Sequence, residues 1–308
     1  MTCTSRPALC RAVARAPREH SAVRRKKLLS ITSVVCGLLA DGVEARVMWV
    51  GDQKLMVAIK RATSTRPPLL LFNGIGANWE LAEPFLDALT DTTAIIFDLP
   101  GVGGSPLSAL PYRPSSIARL SARLVADLGY DRIDVAGVSW GGGMAQQLAH
   151  QYPALCRRLV LTATSPGAIM VPGMPSAVLK LATPRRYWDK DYMRRSAPEI
   201  YGGAFKKDPS LIGRHADAMF GARGLGYLYQ LLAMVGWSSL PWLWTLRQPT
   251  LVLMGRDDPL VPVVNGRVLA HLIPNARLEI VDDGRLFMVT RTYLPLRRTT
   301  LTQQGFIT

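Results

Sequence analysis

"RIDVAGVSWGGGMAQQLAHQY", residues 132–152, decides the fold. Its opening, Ile133 to Val138, is a short apolar run of the length of a strand buried on both faces. Its second half, Gly141 to Tyr152, reads as a helix. Between them lies Gly137-Val138-Ser139-Trp140-Gly141, a G-x-S-x-G pentapeptide. The bare pattern is common, but a strand before it and a helix after it give it the setting of a nucleophile elbow. In such a turn the serine sits in strained backbone geometry. Its hydroxyl is exposed above the sheet, near the positive end of the helix. Small residues at 137 and 141 let neighbouring backbone approach, and Gly142, Gly143 and Ala145 let the helix lie close to the sheet. Ser139 is therefore the expected nucleophile of an acyl transfer.

The same rhythm extends on both sides. "ARVMWV" (45–50) and "KLMVAIK" (54–60) read as a strand pair around a turn at Gly51-Asp52-Gln53. "PPLLLFNG" (67–74), "TTAIIFDLPG" (92–101), "RLVLTATS" (158–165), "PTLVLMG" (249–255) and "RLEIVDDG" (277–284) read as further strands. Trp79 to Leu89 reads as a short helix. Ser115 and Ser116 can cap another, whose Ile117, Leu120, Leu124 and Leu128 share a face. Strands alternating with helices predict an α/β fold, a mostly parallel sheet with helices on both faces. Residues 166–246 break the rhythm: they are rich in Met, Tyr and Trp and hold no clear strand. They read as a helical lid inserted between core segments 44–165 and 247–290, with Trp188, Trp237, Trp242 and Tyr227 as expected substrate contacts.

Acyl transfer needs donors for the developing oxyanion. One is expected from the backbone N–H of Trp140, the residue after the nucleophile, and the other from the loop Asn73-Gly74-Ile75-Gly76, with Ile75 as the choice. The acid is expected in "MGRDDPLVP", where Asp258 is favoured and Asp257 reads as a cap of the following turn.

Several segments resemble the intracellular poly(3-hydroxyalkanoate) depolymerases, which have the α/β-hydrolase fold. They are "PLLLFNGIGANWELAEPFLDAL" (68–89), "IIFDLPGVGGSPL" (95–107), "YRPSSIARL" (112–120), "DVAGVSWGGGMAQQLAHQYP" (134–153), "LVLTATSPGAIMVPG" (159–173) and "PTLVLMGRDDPLVPVVN" (249–265). The resemblance also takes in "YWDKDYMRRSAPEIYGGAF" (187–205), inside the insertion. It implies a carboxylic-ester hydrolase acting on a hydrophobic polyester, with a Ser–Asp–His triad in that chain order and no metal or organic cofactor. Ser139 and Asp258 match the first two triad positions. The third falls on the residue after the Gly of "VDDG", and that residue is Arg285. An arginine stays charged in proteins, so it cannot take the serine's proton near neutral pH. The four histidines are His20 in the N-terminal segment, His150 late in the helix after the elbow, His215 in the insertion and His271 before the last strand. His215 or His271 is the only rescue on offer. The alternative is a catalytically inactive hydrolase fold that binds granules or hydrophobic ligands.

The net charge is +15, yet residues 1–30 hold eight Lys and Arg against Glu19 alone. Nearly half of the excess thus sits in a basic arm, residues 1–43, the remainder is modestly basic, and no aromatic interleaving or motif points to nucleic acid. Cys3, Cys10, Cys36 and Cys156 show no metal-ligand spacing and no disulfide framework, which fits a reducing compartment. No apolar run approaches the roughly 18–20 residues that cross a bilayer. Residues 24–40 have the layout of a signal peptide, but the charged part lies far from Met1 and no Ala-x-Ala follows. The expectation is a cytoplasmic protein, associated with storage granules, with secretion the minor alternative. Residues 291–308 lack an apolar stripe and contain Pro295, an atypical tail for this fold.

Overall fold

A nine-stranded sheet forms the body of the fold, and its order explains where the elbow lies. The computed structural model describes residues 38–39, 42–183, 185, 189–208, 212–213 and 224–284. The strands are β1 (Leu38–Leu39), β2 (Val43–Val50), β3 (Gln53–Lys60), β4 (Leu69–Phe72), β5 (Ala94–Phe97), β6 (Ile133–Val138), β7 (Cys156–Thr162), β8 (Thr250–Gly255) and β9 (Ala276–Val281). Across the sheet they run β1-β2-β3-β5-β4-β6-β7-β8-β9. The first four are antiparallel neighbours, and from β5 to β9 every pairing is parallel.

The central strands are buried on both faces, which is why they read as continuous apolar runs. Alternate residues serve opposite cores. Leu70, Phe72, Ile133, Val135, Val252 and Met254 join one core, with Ile117 and Leu124 of α2 (Pro114–Asp127), Met144 and Leu148 of α3 (Trp140–Gln151) and Leu269 of α8 (Val263–Leu272). Leu69, Leu71, Ala136, Val138, Leu251 and Leu253 join the other, with Phe85 and Leu86 of α1 (Glu83–Asp87). Each of the larger side chains contributes about 1.5–3 kcal/mol by leaving water. Helices thus cover both faces, as the alternation predicts.

Three expectations are corrected at the edges. The β2–β3 hairpin begins two residues early and Gln53 is already in β3. Ser115 and Ser116 do not cap α2: Pro114 occupies its first turn and Arg113 is the N-cap residue, with no side-chain cap bond. A proline there fixes φ and gives up an N–H that has no helical partner anyway. The sheet also reaches into the segment read as an arm, since Leu38–Leu39 pairs with β2 and Val43 is buried. The rest of that arm, and the tail at 291–308, lie outside the described residues.

Between β7 and β8 the chain holds α4 (Pro175–Ala182), α5 (Lys190–Tyr201), α6 (Gly203–Lys207), α7 (Gly224–Met234) and a 3-10 turn at Leu240–Thr245. No strand of the sheet falls among the described residues of this insertion. Asp189 caps α5, accepting from Tyr192 N at 2.8 Å and from Arg185 Nε at 2.9 Å. The Tyr227 hydroxyl ties α7 to α4 by donating to Leu181 O. Among the described residues no helix is long and apolar enough to cross a membrane.

Candidate active site

β6 lies at the middle of the parallel region, between β4 and β7. Ser139 follows it directly and has φ 58° and ψ −118°, a conformation that non-glycine residues avoid. Such a conformation costs about 1–3 kcal/mol and persists only where the surroundings dictate it. Here they do. Ser139 N–H donates to Thr162 O at 2.8 Å, while Ser139 O accepts from Gly142 N at 2.9 Å and from Thr164 Oγ1 at 2.7 Å. The flanking glycines are required by contact. A Cβ on Gly137 would lie 2.3 Å from Gly141 O, and one on Gly141 would lie 2.3 Å from Phe72 O. The expected tight strand-to-helix turn is therefore present, with Ser139 half-buried at the N-cap of α3.

Trp140 is the first residue of α3, where helix geometry supplies no intrahelical acceptor for the N–H. Its side chain is buried and its indole Nε1 donates to Gln230 O at 2.9 Å. The loop Asn73–Gly76 passes beside the nucleophile, since a Cβ on Gly74 would lie 3.8 Å from Ser139 Cβ. The loop is pinned at several points. Asn73 Nδ2 donates to Asn78 O at 2.6 Å, Ala77 N to Gly74 O at 3.1 Å, and Gly76 N to Gln230 Oε1 at 2.6 Å. Ile75 is half-buried against the larger core.

The two candidate acids separate by burial. Asp257 is exposed, whereas Asp258 is buried, and its Oδ1 accepts from Leu260 N at 2.8 Å and Val261 N at 2.9 Å. It is therefore Asp258, not Asp257, that caps the turn after β8. The loop after β9 comes alongside: Asp257 N donates to Asp283 O at 3.0 Å, and a Cβ on Gly255 would lie 2.2 Å from Gly284 O. Gly284 is the last described residue before position 285, so Arg285 itself lies outside the described residues, as do His20 and His215. His271 is exposed in the last turn of α8. His150 sits about 16 Å along α3 from Ser139, at 1.5 Å per residue. Its Nδ1 lies 3.1 Å from Thr245 Oγ1, and burial holds its pKa below the usual imidazole range.

The aromatic residues expected as substrate contacts make contacts within the protein. Trp242 stacks on His150 at 4.2 Å, far along α3. Trp237 Nε1 donates to Gln147 Oε1 at 2.8 Å, and its ring faces Gly143. Tyr227 is wholly buried within the insertion. Trp237 and Trp242 pack, half-buried, where the insertion meets α3, and Tyr227 packs inside the insertion against α4. Trp188 lies outside the described residues.

Sequence reasoning missed three residues that shape the site: Gln230, Thr164 and Asp98. Gln230 left a signal, being the one amide side chain in an aliphatic and aromatic stretch, "GYLYQLLAMV" (226–235). Asp98 follows β5 and is buried. Its Oδ1 accepts from Trp79 N at 2.7 Å and its Oδ2 from Gly104 N at 2.8 Å, which ties the 3-10 turn after the oxyanion loop to the loop after β5. Burial pushes its carboxyl up to about 7 despite those two donors, with the nearby Glu80 carboxylate adding to the rise. Among the described residues no three His, Cys, Asp or Glu gather as metal ligands.

Residues 67–292 match the family described as alpha/beta hydrolase fold. A poly(3-hydroxyalkanoate) depolymerase of Ectopseudomonas oleovorans is 49% identical over 247 residues, covering 80% of this chain and 87% of that protein. A pimeloyl-[acyl-carrier protein] methyl ester esterase of Aromatoleum aromaticum is 30% identical over 241 residues, covering 71% of this chain and 90% of that protein. Among solved structures, the enol-lactonase of Burkholderia xenovorans superposes with a TM-score of 0.69 at 21% identity, over 84% of this chain and 98% of that one, a likeness of fold.

Proposed function

The chain belongs to the α/β hydrolase fold family, among the poly(3-hydroxyalkanoate) depolymerases, and from that premise we propose that it cleaves the ester bonds of a hydrophobic 3-hydroxyalkanoate polyester. The observation that carries this reading is the backbone of Ser139, held at φ 58° at the head of α3 by three hydrogen bonds. Strain so thoroughly enforced has a use when it lifts a hydroxyl clear of the sheet for attack.

In the proposed reaction Ser139 Oγ adds to the ester carbonyl carbon. The negative charge that develops on the carbonyl oxygen is met by the N–H groups of Trp140 and Ile75. Collapse breaks the ester C–O bond, and the departing oxygen takes up the proton given up by Ser139 Oγ, leaving as the hydroxyl end of one polymer fragment. Water then cleaves the acyl-enzyme and releases the carboxyl end. Neither step calls on a metal or an organic cofactor. Asp258 is the acid of the triad and would orient an imidazole at position 285. Arg285 stands there instead, so the serine lacks the base that would take its proton. Slow turnover is the consequence we assign to the natural chain.

The apolar surface of the insertion supports a hydrophobic polymer as substrate. Met174, Leu179, Leu225, Leu228 and Val235 are exposed around α4 and α7. We assign to this side of the protein the contact with polyester, in solution or at a granule surface, and a cytoplasmic location accords with it. The second reading, an inactive fold that only binds polymer, is favoured by Arg285 alone. Fluorophosphonate labelling decides between them. Label on Ser139, absent in Ser139→Ala, together with measurable hydrolysis of a nitrophenyl ester, supports the hydrolase; binding of polymer without either supports the inactive binder.

A further inference from the structure

We propose that Gln230, on the insertion helix α7, is the positioning residue of the oxyanion loop. The inference rests on the reading of Trp140 and Ile75 as oxyanion donors. It adds the residue that fixes their mutual placement.

One side chain and one carbonyl of the same residue reach both halves of that site. Gln230 Oε1 accepts from Gly76 N at 2.6 Å, and Gln230 O accepts from Trp140 Nε1 at 2.9 Å. Gln230 is fully buried, so neither bond competes with water. Gly76 has φ 69°, a turn conformation open to alternatives, and its amide anchors the C-terminal side of the Ile75 peptide. Because Gly76 N–H is committed to Gln230, it is not itself an oxyanion donor. Its role is to hold the loop. The far side of the amide group lies beside the buried Tyr112 hydroxyl, whose pKa burial raises and this neighbour draws back.

The helix that carries Gln230 is seated independently of the side chain. A Cβ on Gly226 would lie 2.0 Å from Gly101 O, so α7 rests directly on the backbone of the loop after β5. The bond from Trp140 uses the Gln230 carbonyl and survives any side-chain substitution. Gln230→Met therefore removes the Gly76 bond while keeping volume and helix packing. Gln230→Asn keeps the amide but shortens its reach. Gln230→Glu keeps an acceptor at the same place, and a buried Glu stays protonated, so no charge is added.

The experiment compares these variants in the natural chain and in the Arg285→His background. It measures the rate of fluorophosphonate labelling of Ser139, kcat and KM on a nitrophenyl butyrate ester, and hydrogen exchange at the Gly76 amide. Misplacing an oxyanion donor should cost about 10²-fold. We expect Gln230→Met and Gln230→Asn to lower labelling and kcat by that factor with KM unchanged, to speed Gly76 exchange, and Gln230→Glu to restore most of both. Unchanged labelling in a folded Gln230→Met, a rise in KM alone, or failure of Gln230→Glu to restore would each overturn the assignment. Loss of folding in both Met and Asn variants would reduce Gln230 to a structural residue. If the natural chain and the Arg285→His protein both leave Ser139 unlabelled, the hydrolase reading falls first and takes this one with it.

Discussion

At the scale of single residues, the site is half machinery and half contradiction. Ser139 has the backbone of a nucleophile, and Asp258 is buried and aimed into its own loop by two N–H donors. Position 285 should complete them and carries a guanidinium. Two predictions separate these contributions. Arg285→His should raise ester turnover by about 10⁴-fold or more, the range lost when a triad base is removed from serine proteases. Asp258→Asn should then cost about 10⁴-fold in the Arg285→His background, because the imidazole loses its orienting acceptor. In the natural chain it should change turnover little, there being no imidazole to orient. Initial rates on a nitrophenyl ester for the four proteins form a cycle, and equal effects of Asp258→Asn in both backgrounds would remove Asp258 from the triad. The sequence favours Asp258 over Asp257 by its place after the strand alone, since two adjacent carboxylates otherwise look alike. Burial separates them, and burial depends on which way the loop after β8 turns.

At the scale of elements, the strands and the elbow were legible because their physics is local. A strand buried on both faces must be a short apolar run, and a serine in a strained turn must have small neighbours. The insertion was legible only as helical. Its aromatic residues read as substrate contacts because a sequence does not reveal which rings spend their surface on α3, as Trp237 and Trp242 do. Ser115 and Ser116 misled for a similar reason: a capping side chain and a first-turn side chain carry the same letter. The elbow yields a test of its own steric logic. Gly141→Ala would set a Cβ 2.3 Å from the rigid Phe72 carbonyl, while Gly143→Ala meets only the Met234 methyl and the edge of the Trp237 ring, each at 3.2 Å. Overpacking typically costs about 1–3 kcal/mol, and rigid backbone puts Gly141→Ala at or beyond the top of that range. Gly143→Ala should cost clearly less; urea unfolding of the two, measured side by side, would contradict the elbow packing if their order were reversed. The exposed face of the insertion gives a second test. Leu179→Lys with Leu225→Lys should weaken binding to polyester particles while leaving labelling of Ser139 unaltered. Equal sedimentation with particles would move the polymer contact elsewhere.

At the scale of the whole molecule, composition indicated a chain able to bury a large core, but not which charges the fold would bury. Asp98 is the clearest case. Its letter sits in a turn-like "DLPGVGGS" (98–105), yet it is buried where two loops meet, accepting from Trp79 N and Gly104 N. Its carboxyl is raised from 3.8 to about 7, chiefly by desolvation. The folded state therefore holds this proton more tightly than the unfolded chain does. The corresponding stability is complete below about pH 4 and is lost as pH rises through about 7. Glu80, also raised by burial, adds in the same sense. His150 acts oppositely: burial lowers its pKa, so its neutral form favours folding and its contribution grows as pH rises toward the unfolded value of 6.5. The measured profile is the sum of these, and Asp98→Asn isolates one part. An amide at 98 can accept from only one of the two backbone donors, so the variant should be less stable at every pH. Its disadvantage should nevertheless shrink between pH 5 and pH 8, by on the order of 2–3 kcal/mol, because only the wild type pays for ionising a buried carboxyl. Urea unfolding of both proteins at the two pH values reads that difference directly. A stability gap that stays constant from pH 5 to pH 8 would mean that Asp98 is already ionised at pH 5, and that its two N–H donors outweigh its burial.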